Sequence, residues 1–247
     1  MKDRIIGLWQ QVNRPGIDDL IGFLETSDFF EAPCSVNHHL AKVGGLAEHS
    51  DDVFNLQEVR YQYYFGLGLI PEIPLSSRII TAQGHDFCKI NYFKPDGEQC
   101  NNGQFNFLKD LLSSKKHLIS QESLGKLLGI VCLDGVVRRD IPAAHASVLI
   151  NWLKNSPGQA IPELPMTWSY DDKEPLGHGE KSVIILQQFI KLELCEMLAI
   201  RWHMGAWDLT DVYGKYAFNE AVKVHPLVTL LQTADLEATH ILEREGQ

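Results

Sequence analysis

The sequence predicts an all-α protein. Most apolar residues recur at three- and four-residue spacing, strand-like character is confined to one short stretch, and turn-forming residues cluster in a single middle segment. Over residues 45–63, Leu46, Val53, Leu56, Val59 and Tyr63 trace one helical face. Residues 75–86 read as a second helix that ends in the HDFCK segment. The longest periodic run, 179–201, carries Val183, Leu186, Phe189, Ile190, Leu194, Met197 and Leu198. A last helix is expected over 226–243, with Pro226 suited to its first turn and a buried face of Val228, Leu231, Asp235 and Leu242. The tail EREGQ is expected to fray.

The middle segment opens with PDGEQCNNG and then offers shorter helical stretches near 105–113, 121–133 and 143–154. A proline-rich loop, SPGQAIPELP, leads into the strand-like MTWSY, which leaves room for a short β-hairpin. No Gly/Ser linker marks a boundary. We therefore expect one helical domain over 1–247 with a mostly helical insertion at about 96–170.

The formal charge of −10 repels phosphate backbones, so no long nucleic acid is expected as a partner. A small phosphorylated molecule remains compatible, because a metal centre supplies positive field locally. The five cysteines form no CxxC pair, and their number is odd. A disulfide framework or Cys-rich zinc site is not expected, and a reducing cytoplasm is. The first residues hold no long apolar run, and no stretch approaches the length of a membrane span, so no membrane partner is expected.

The informative feature is an ordered set of histidines and aspartates in helical context. His49 lies in GGLAEHSDDV, His85 and Asp86 are adjacent in GHDFCK, His178 lies in PLGHGEKS, His203 in AIRWHMG and Asp235 in LLQTADLEATH. An imidazole or carboxylate facing a helical core is costly unless hydrogen-bonded or metal-bound, and several converging from different helices can share an ion. For any single histidine, a cap or a satisfied core residue is an equally good reading. Imidazole and carboxylate ligands without thiolates suit Mn, Fe, Co, Ni or Zn. Lys89 follows the His-Asp pair by three residues, which turns it to the same side.

With these motifs in hand, the sequence resembles the HD-domain metal-dependent phosphohydrolases. GGLAEHS is similar to their first-ligand helix, GHDFCK to the HD motif with its following lysine, LGHGEKS and RWHMG to the two further histidines of binuclear members, and TADLEA to the final aspartate helix. The matching segments cover about 36–94 and 174–243. The resemblance implies an HD-type helical bundle that binds two divalent transition metals. Asp86 would bridge them, His49, His85 and Asp235 would complete one shell, and His178 and His203 would hold the other. It further implies catalytic roles for Asp86, Lys89 and Lys181, with His39, Lys89 and Lys181 binding substrate. The reaction would be hydrolysis of a phosphate ester, a phosphodiester or nucleotide, by a metal-bridged water, with a nucleotide or short oligonucleotide as the substrate. Alternatives are a mononuclear nucleotide phosphatase or triphosphohydrolase, an HD-type di-iron oxygenase and a non-catalytic binding protein. Gly44 and Gly45 are read as a tight entry to the His49 helix, and Glu48 as a helix cap or a carboxylate orienting a metal-bound ring. Asp51 and Asp52 are read as a solvated face, and Arg201 as structural.

Overall fold

A computed structural model describes residues 1–36, 38–94, 99–133, 136–137, 141–164, 166–174, 176–208 and 212–244. The chain divides into two compact units, Met1–Phe93 with Asp171–Gln247, and Lys94–Tyr170. Both are mostly helical, as expected of an all-α chain. Among the described residues, no helix is long and apolar enough to cross a membrane.

The first unit contains α1 (Lys2–Trp9), α2 (Ile17–Thr26), α3 (Gly45–Gly66) and α4 (Leu75–Gly84) before the break in its chain. After it come α8 (His178–Gln187), α9 (Leu194–Arg201), α10 (Val212–Val224) and α11 (Pro226–Glu237). Helix α3 packs against α4 and α11, and α9 packs against α8, α11 and α4. The core between them holds Trp9, Phe29, Leu46, Val53, Ile79, Phe87, Leu186, Ile200 and Leu231. Fully burying each of the larger aliphatic side chains contributes roughly 1.5–3 kcal/mol.

The entry to α3 depends on glycine. Gly44 adopts φ +77°, and a Cβ on Gly45 would stand 2.1 Å from the Leu40 carbonyl oxygen. This close approach lets the preceding loop fold back on itself. Leu46 N–H donates to the Ala32 carbonyl and Cys34 N–H to that of Leu40, at 3.0 and 3.1 Å. The glycine pair therefore fixes where Cys34 and His39 stand.

Three expectations are corrected. Val59 and Tyr63 are 68% and 64% exposed, so the buried stripe of α3 ends at Tyr61. The run 179–201 is two helices rather than one. Glu193 and Glu196 form a capping box that starts α9 afresh. The Arg14 guanidinium holds both Glu196 oxygens, at 2.7 and 2.5 Å, and the Lys191 carbonyl at 2.8 Å, which anchors the break. Finally, α11 stops at Glu237 and the chain continues as a π-helical turn, Ala238–Leu242. Pro226 does occupy the first turn of α11, where the His225 ring accepts from Leu227 N–H.

The second unit contains α5 (Asn102–Lys115), α6 (Gln121–Val131) and α7 (Ala143–Asn155) around a core of Leu108, Leu127, Val131, Leu149 and Leu153. Asn101 and Gln104 cap α5 reciprocally, and Ser120 caps α6. Its hairpin joins Cys132–Leu133 to Val136–Val137, upstream of MTWSY, in which Ser169–Tyr170 is a two-residue strand.

Gly179 offers a direct test of the α8–α9 contact, because a Cβ there would lie 2.3 Å from the Arg201 carbonyl oxygen. Gly179→Ala should lower the unfolding free energy by about 2 kcal/mol through overpacking. Gly7→Ala, in the middle of α1 with nothing within 4 Å of the added methyl, should raise it by up to about 1 kcal/mol. Urea unfolding midpoints with unchanged slopes check both signs.

Candidate metal centre

Helix termini aim the ligands. The last carbonyls of an α-helix have no partner within it. His85 follows α4, and its Nδ1 lies 2.8 Å from the Ala82 carbonyl oxygen. His203 follows α9, and its Nδ1 lies 2.7 Å from the Ile200 carbonyl oxygen. A carbonyl only accepts, so in each ring Nδ1 carries a proton, and in the neutral ring the lone pair therefore falls on Nε2. The two helix ends thus set tautomer and direction together.

Both Nε2 atoms point into a buried cluster. His49 Nε2 stands 3.2 Å from His85 Nε2 and 3.2 Å from Asp235 Oδ1. Asp86 Oδ2 lies 3.6 Å from His49 Nε2 and 3.5 Å from His85 Nε2. Its other oxygen, Oδ1, lies 3.5 Å from His203 Nε2. The Asp86 carboxylate therefore has one ring pair on one side and His203 on the other. The His203 Nε2 atom is buried without a hydrogen-bond partner. Unbridged nitrogen and oxygen donors so close together, one of them orphaned, suit a divalent transition metal. These buried groups could hold an ion.

The electrostatics favour that use at His85 and the two aspartates. Burial disfavours a charged His203, but Asp86 and Asp235 raise its pKa, so with no cation present the two carboxylates draw a proton onto it. Burial pushes the His85 ring down to about 4, which keeps its Nε2 lone pair available at neutral pH. Burial works against the Asp86 carboxylate, but the Lys89 ammonium and the His85 and His203 rings hold it well below the usual carboxylate range. Asp235 is held low in the same way, with His49 and His85 outweighing burial. Burial also disfavours a charged His49, yet Cys34, Asp235 and Glu243 raise its pKa well above the ordinary value. Lys89 Nζ sits 2.6 Å from Asp86 Oδ2, as its three-residue spacing implied.

The fold thus brings together His49, His85, Asp86, His203 and Asp235. His178 stands at the exposed start of α8, with Nδ1 3.3 Å from Cys88 Sγ, which in turn is 3.8 Å from Asp86 Oδ1. Lys181 is buried and pairs with Asp172 at 3.1 Å, with its ammonium 5.2 Å from the centre of the Tyr92 ring. A cavity of about 810 Å³ opens over the cluster, and His38, His39, Lys89, Trp207, His240 and Arg244 are among the residues lining it.

Sequence reasoning missed two residues here. Glu243 belongs to the tail expected to fray, yet it is only 8% exposed, and both carboxylate oxygens reach His49 Nδ1, at 2.8 and 3.1 Å. The π-helical turn before it adds a residue per turn and rotates Glu243 inward. The carboxylate that orients the His49 ring is therefore Glu243 and not Glu48, which pairs with Lys42 at 2.8 Å. No spacing rule flags a glutamate behind a helix end. The second is Cys34, which lies 3.3 Å from both Lys89 Nζ and His39 Nε2. Arg201 is structural as expected, bonded to Glu180 at 2.5 Å.

Loss of the carboxylate behind His49 should weaken metal binding. Glu243→Gln is expected to lower affinity for Mn(II) or Zn(II) ten- to a hundred-fold, while Glu48→Gln leaves it unchanged, by competition titration. A second expectation concerns Asp52, which is half-buried rather than on a freely solvated face. Burial first, then Glu243 and Glu48, push its carboxyl up to about 6. A carboxyl raised in the folded state costs stability once the pH exceeds its unfolded value, and the full cost is reached above about 6. Asp52→Asn should stabilise the protein by about 1 kcal/mol at pH 7.5, discounted for partial exposure, with the gain fading between pH 6 and 4 in unfolding titrations.

No family model, curated protein or solved structure matches this chain.

Proposed function

We propose that the protein is a metal-dependent phosphohydrolase of the HD type, acting on a nucleotide or another small phosphate ester. The observation that carries this reading is the convergence of three imidazoles and two carboxylates, all but the deeper His85 lining one cavity, with a lysine ammonium beside them. His49, His85, Asp86 and Asp235 would hold one divalent ion, and Asp86 Oδ1 with His203 would serve a second. Ions so held lower the pKa of a bound water and neutralise phosphate oxygens. The remaining work falls to side chains. Glu243 holds His49 in the ligating tautomer. Lys89 supplies a point charge 2.6 Å from Asp86, placed to take a non-bridging phosphate oxygen once Asp86 faces metal. His39, at the cavity wall, is pushed down to about 4 by burial, so it is neutral at physiological pH, with its Nε2 beside the Cys34 thiol.

The cavity size falls in the range of small-molecule sites, roughly 300–1,000 Å³. Trp207, 81% exposed, lines it together with Met204 and Leu236, while His38, His240 and Arg244 are basic groups in the same wall. An aromatic face beside basic groups suits a nucleobase carried on a phosphate. Lys181 is not among the lining residues, so its proposed role in binding substrate rests on the resemblance alone.

The position of His178, one thiol away from Asp86, favours a second version of the same reading. With a single ion on His49, His85, Asp86 and Asp235, the substrate would be a nucleotide monophosphate or triphosphate. Metal analysis of chelator-free protein, paired with hydrolysis of bis-p-nitrophenyl phosphate and p-nitrophenyl phosphate in Mn(II), separates the two. Close to two metals per chain with diester cleavage supports the binuclear form, and one metal with monoester cleavage supports the mononuclear form. Asp86→Ala should abolish turnover and metal binding together. Lys89→Ala should lower kcat/KM at least tenfold while the metal stays bound. Turnover of neither ester by metal-loaded protein would refute both versions.

A further inference from the structure

We infer a second, thiolate-containing metal site made by Cys34, His39 and Glu243, beside the nitrogen–oxygen centre and separate from it in chemistry. Its occupant is zinc or another borderline-soft divalent ion. Cys34 Sγ and His39 Nε2 are 3.3 Å apart, and His39 Nε2 is 3.9 Å from Glu243 Oε2. Tetrahedral zinc binds sulfur at about 2.3 Å and nitrogen or oxygen at about 2.0–2.2 Å, which spaces its donors roughly 3.3–3.8 Å apart. The Cys34–His39 pair is thus already at ligand spacing, and the Glu243 oxygen would close in slightly. Ligand atoms of Cys34, His39 and His49 also lie within 4.8 Å of one another.

His49 stands between the two sites without serving both. Its Nε2 faces Asp235 and His85, and its Nδ1–H is taken by Glu243. Glu243 Oε2 makes the longer of the two contacts with that nitrogen, at 3.1 Å, and faces His39 Nε2 with its other lone pair. Cys34 is 1% exposed and is a free thiol, and the glycine-dependent fold of its loop holds it in place. Burial raises the thiol's pKa, and the cationic partner that Lys89 provides at 3.3 Å is what a bound ion would replace. The fourth position is open. His39 and Glu243 line the cavity, so the ion would face whatever occupies it. A cation there would take oxygens of a bound anionic ligand on the side opposite Asp86.

The test is cobalt(II) titration of chelator-treated full-length protein. A tetrahedral cobalt bound to thiolate gives an intense near-ultraviolet charge-transfer absorption that nitrogen and oxygen ligands do not. Wild type should develop this band. C34S should lose it and still bind cobalt at the other centre. H39A should keep a thiolate but require at least tenfold more cobalt to develop the band. D86N, which disables the other centre, should keep the band. The inference is overturned if wild type gives no charge-transfer absorption, if H39A titrates like wild type, or if the band survives C34S and vanishes in C88S, which would assign the thiolate to Cys88. Circular dichroism checks that each variant is folded, and H39A carries the test alone should C34S fail to fold. A band without ester hydrolysis would leave this site standing and remove the phosphohydrolase reading. Hydrolysis without a band would do the reverse.

Discussion

The first unit answers to one constraint: three imidazoles and three carboxylates are packed together, all of them buried except the partly exposed Asp235. Removing a charge from water costs several kcal/mol unless a partner compensates. Here compensation is dense. Asp86 faces Lys89, His49, His85 and His203, and Asp235 and Glu243 take opposite nitrogens of His49. The His203 Nε2 atom is the member of the cluster left orphaned. A protein core retains such a group when something else completes it, and a cation is the complement that suits acceptor lone pairs and carboxylates at once.

The helical framework reduces the cost by doing two things with one set of atoms. The C-terminal carbonyls of α4 and α9 need donors, and the two histidines need a fixed tautomer. One hydrogen bond per helix meets both needs. Ending α4 at Gly84 rather than carrying it through Asp86 is therefore a condition of the site, since a continuous helix would consume the Ala82 carbonyl. The same economy appears at α11, where the π-helical turn swings Glu243 onto His49. Precision comes from rigid helix ends, and the cavity wall comes from the segments that follow them.

The two kinds of donor in the unit divide by position. Nitrogen and carboxylate donors come from helices α3 and α11 and from the chain leaving α4 and α9, whereas the thiol of Cys34 comes from the loop folded back ahead of α3. Lys89 touches both groups, at 2.6 Å from Asp86 and 3.3 Å from Cys34. Its ammonium is the charge that links them, and any cation that enters either group changes what that lysine is paired with.

Sequence alone pointed to the helical class, the glycine entry to α3 and an ordered set of six residues, His49, His85, Asp86, His178, His203 and Asp235, of which packing brings all but the exposed His178 into one cluster. Each of these rests on local periodicity or on short spacings that a helix converts directly into direction, as the three-residue step from Asp86 to Lys89 shows. It did not determine the break between α8 and α9, because periodicity continues through 179–201 while the capping box and the long-range Arg14–Glu196 pair decide otherwise. Nor did it reveal Glu243 or Cys34. Glu243 is 194 residues from His49 and Cys34 is 55 from Lys89, and only packing brings them together. Long-range partners of this kind carry no periodic signal: the energy of a buried charge depends on which groups face it in space, and that only the tertiary structure decides.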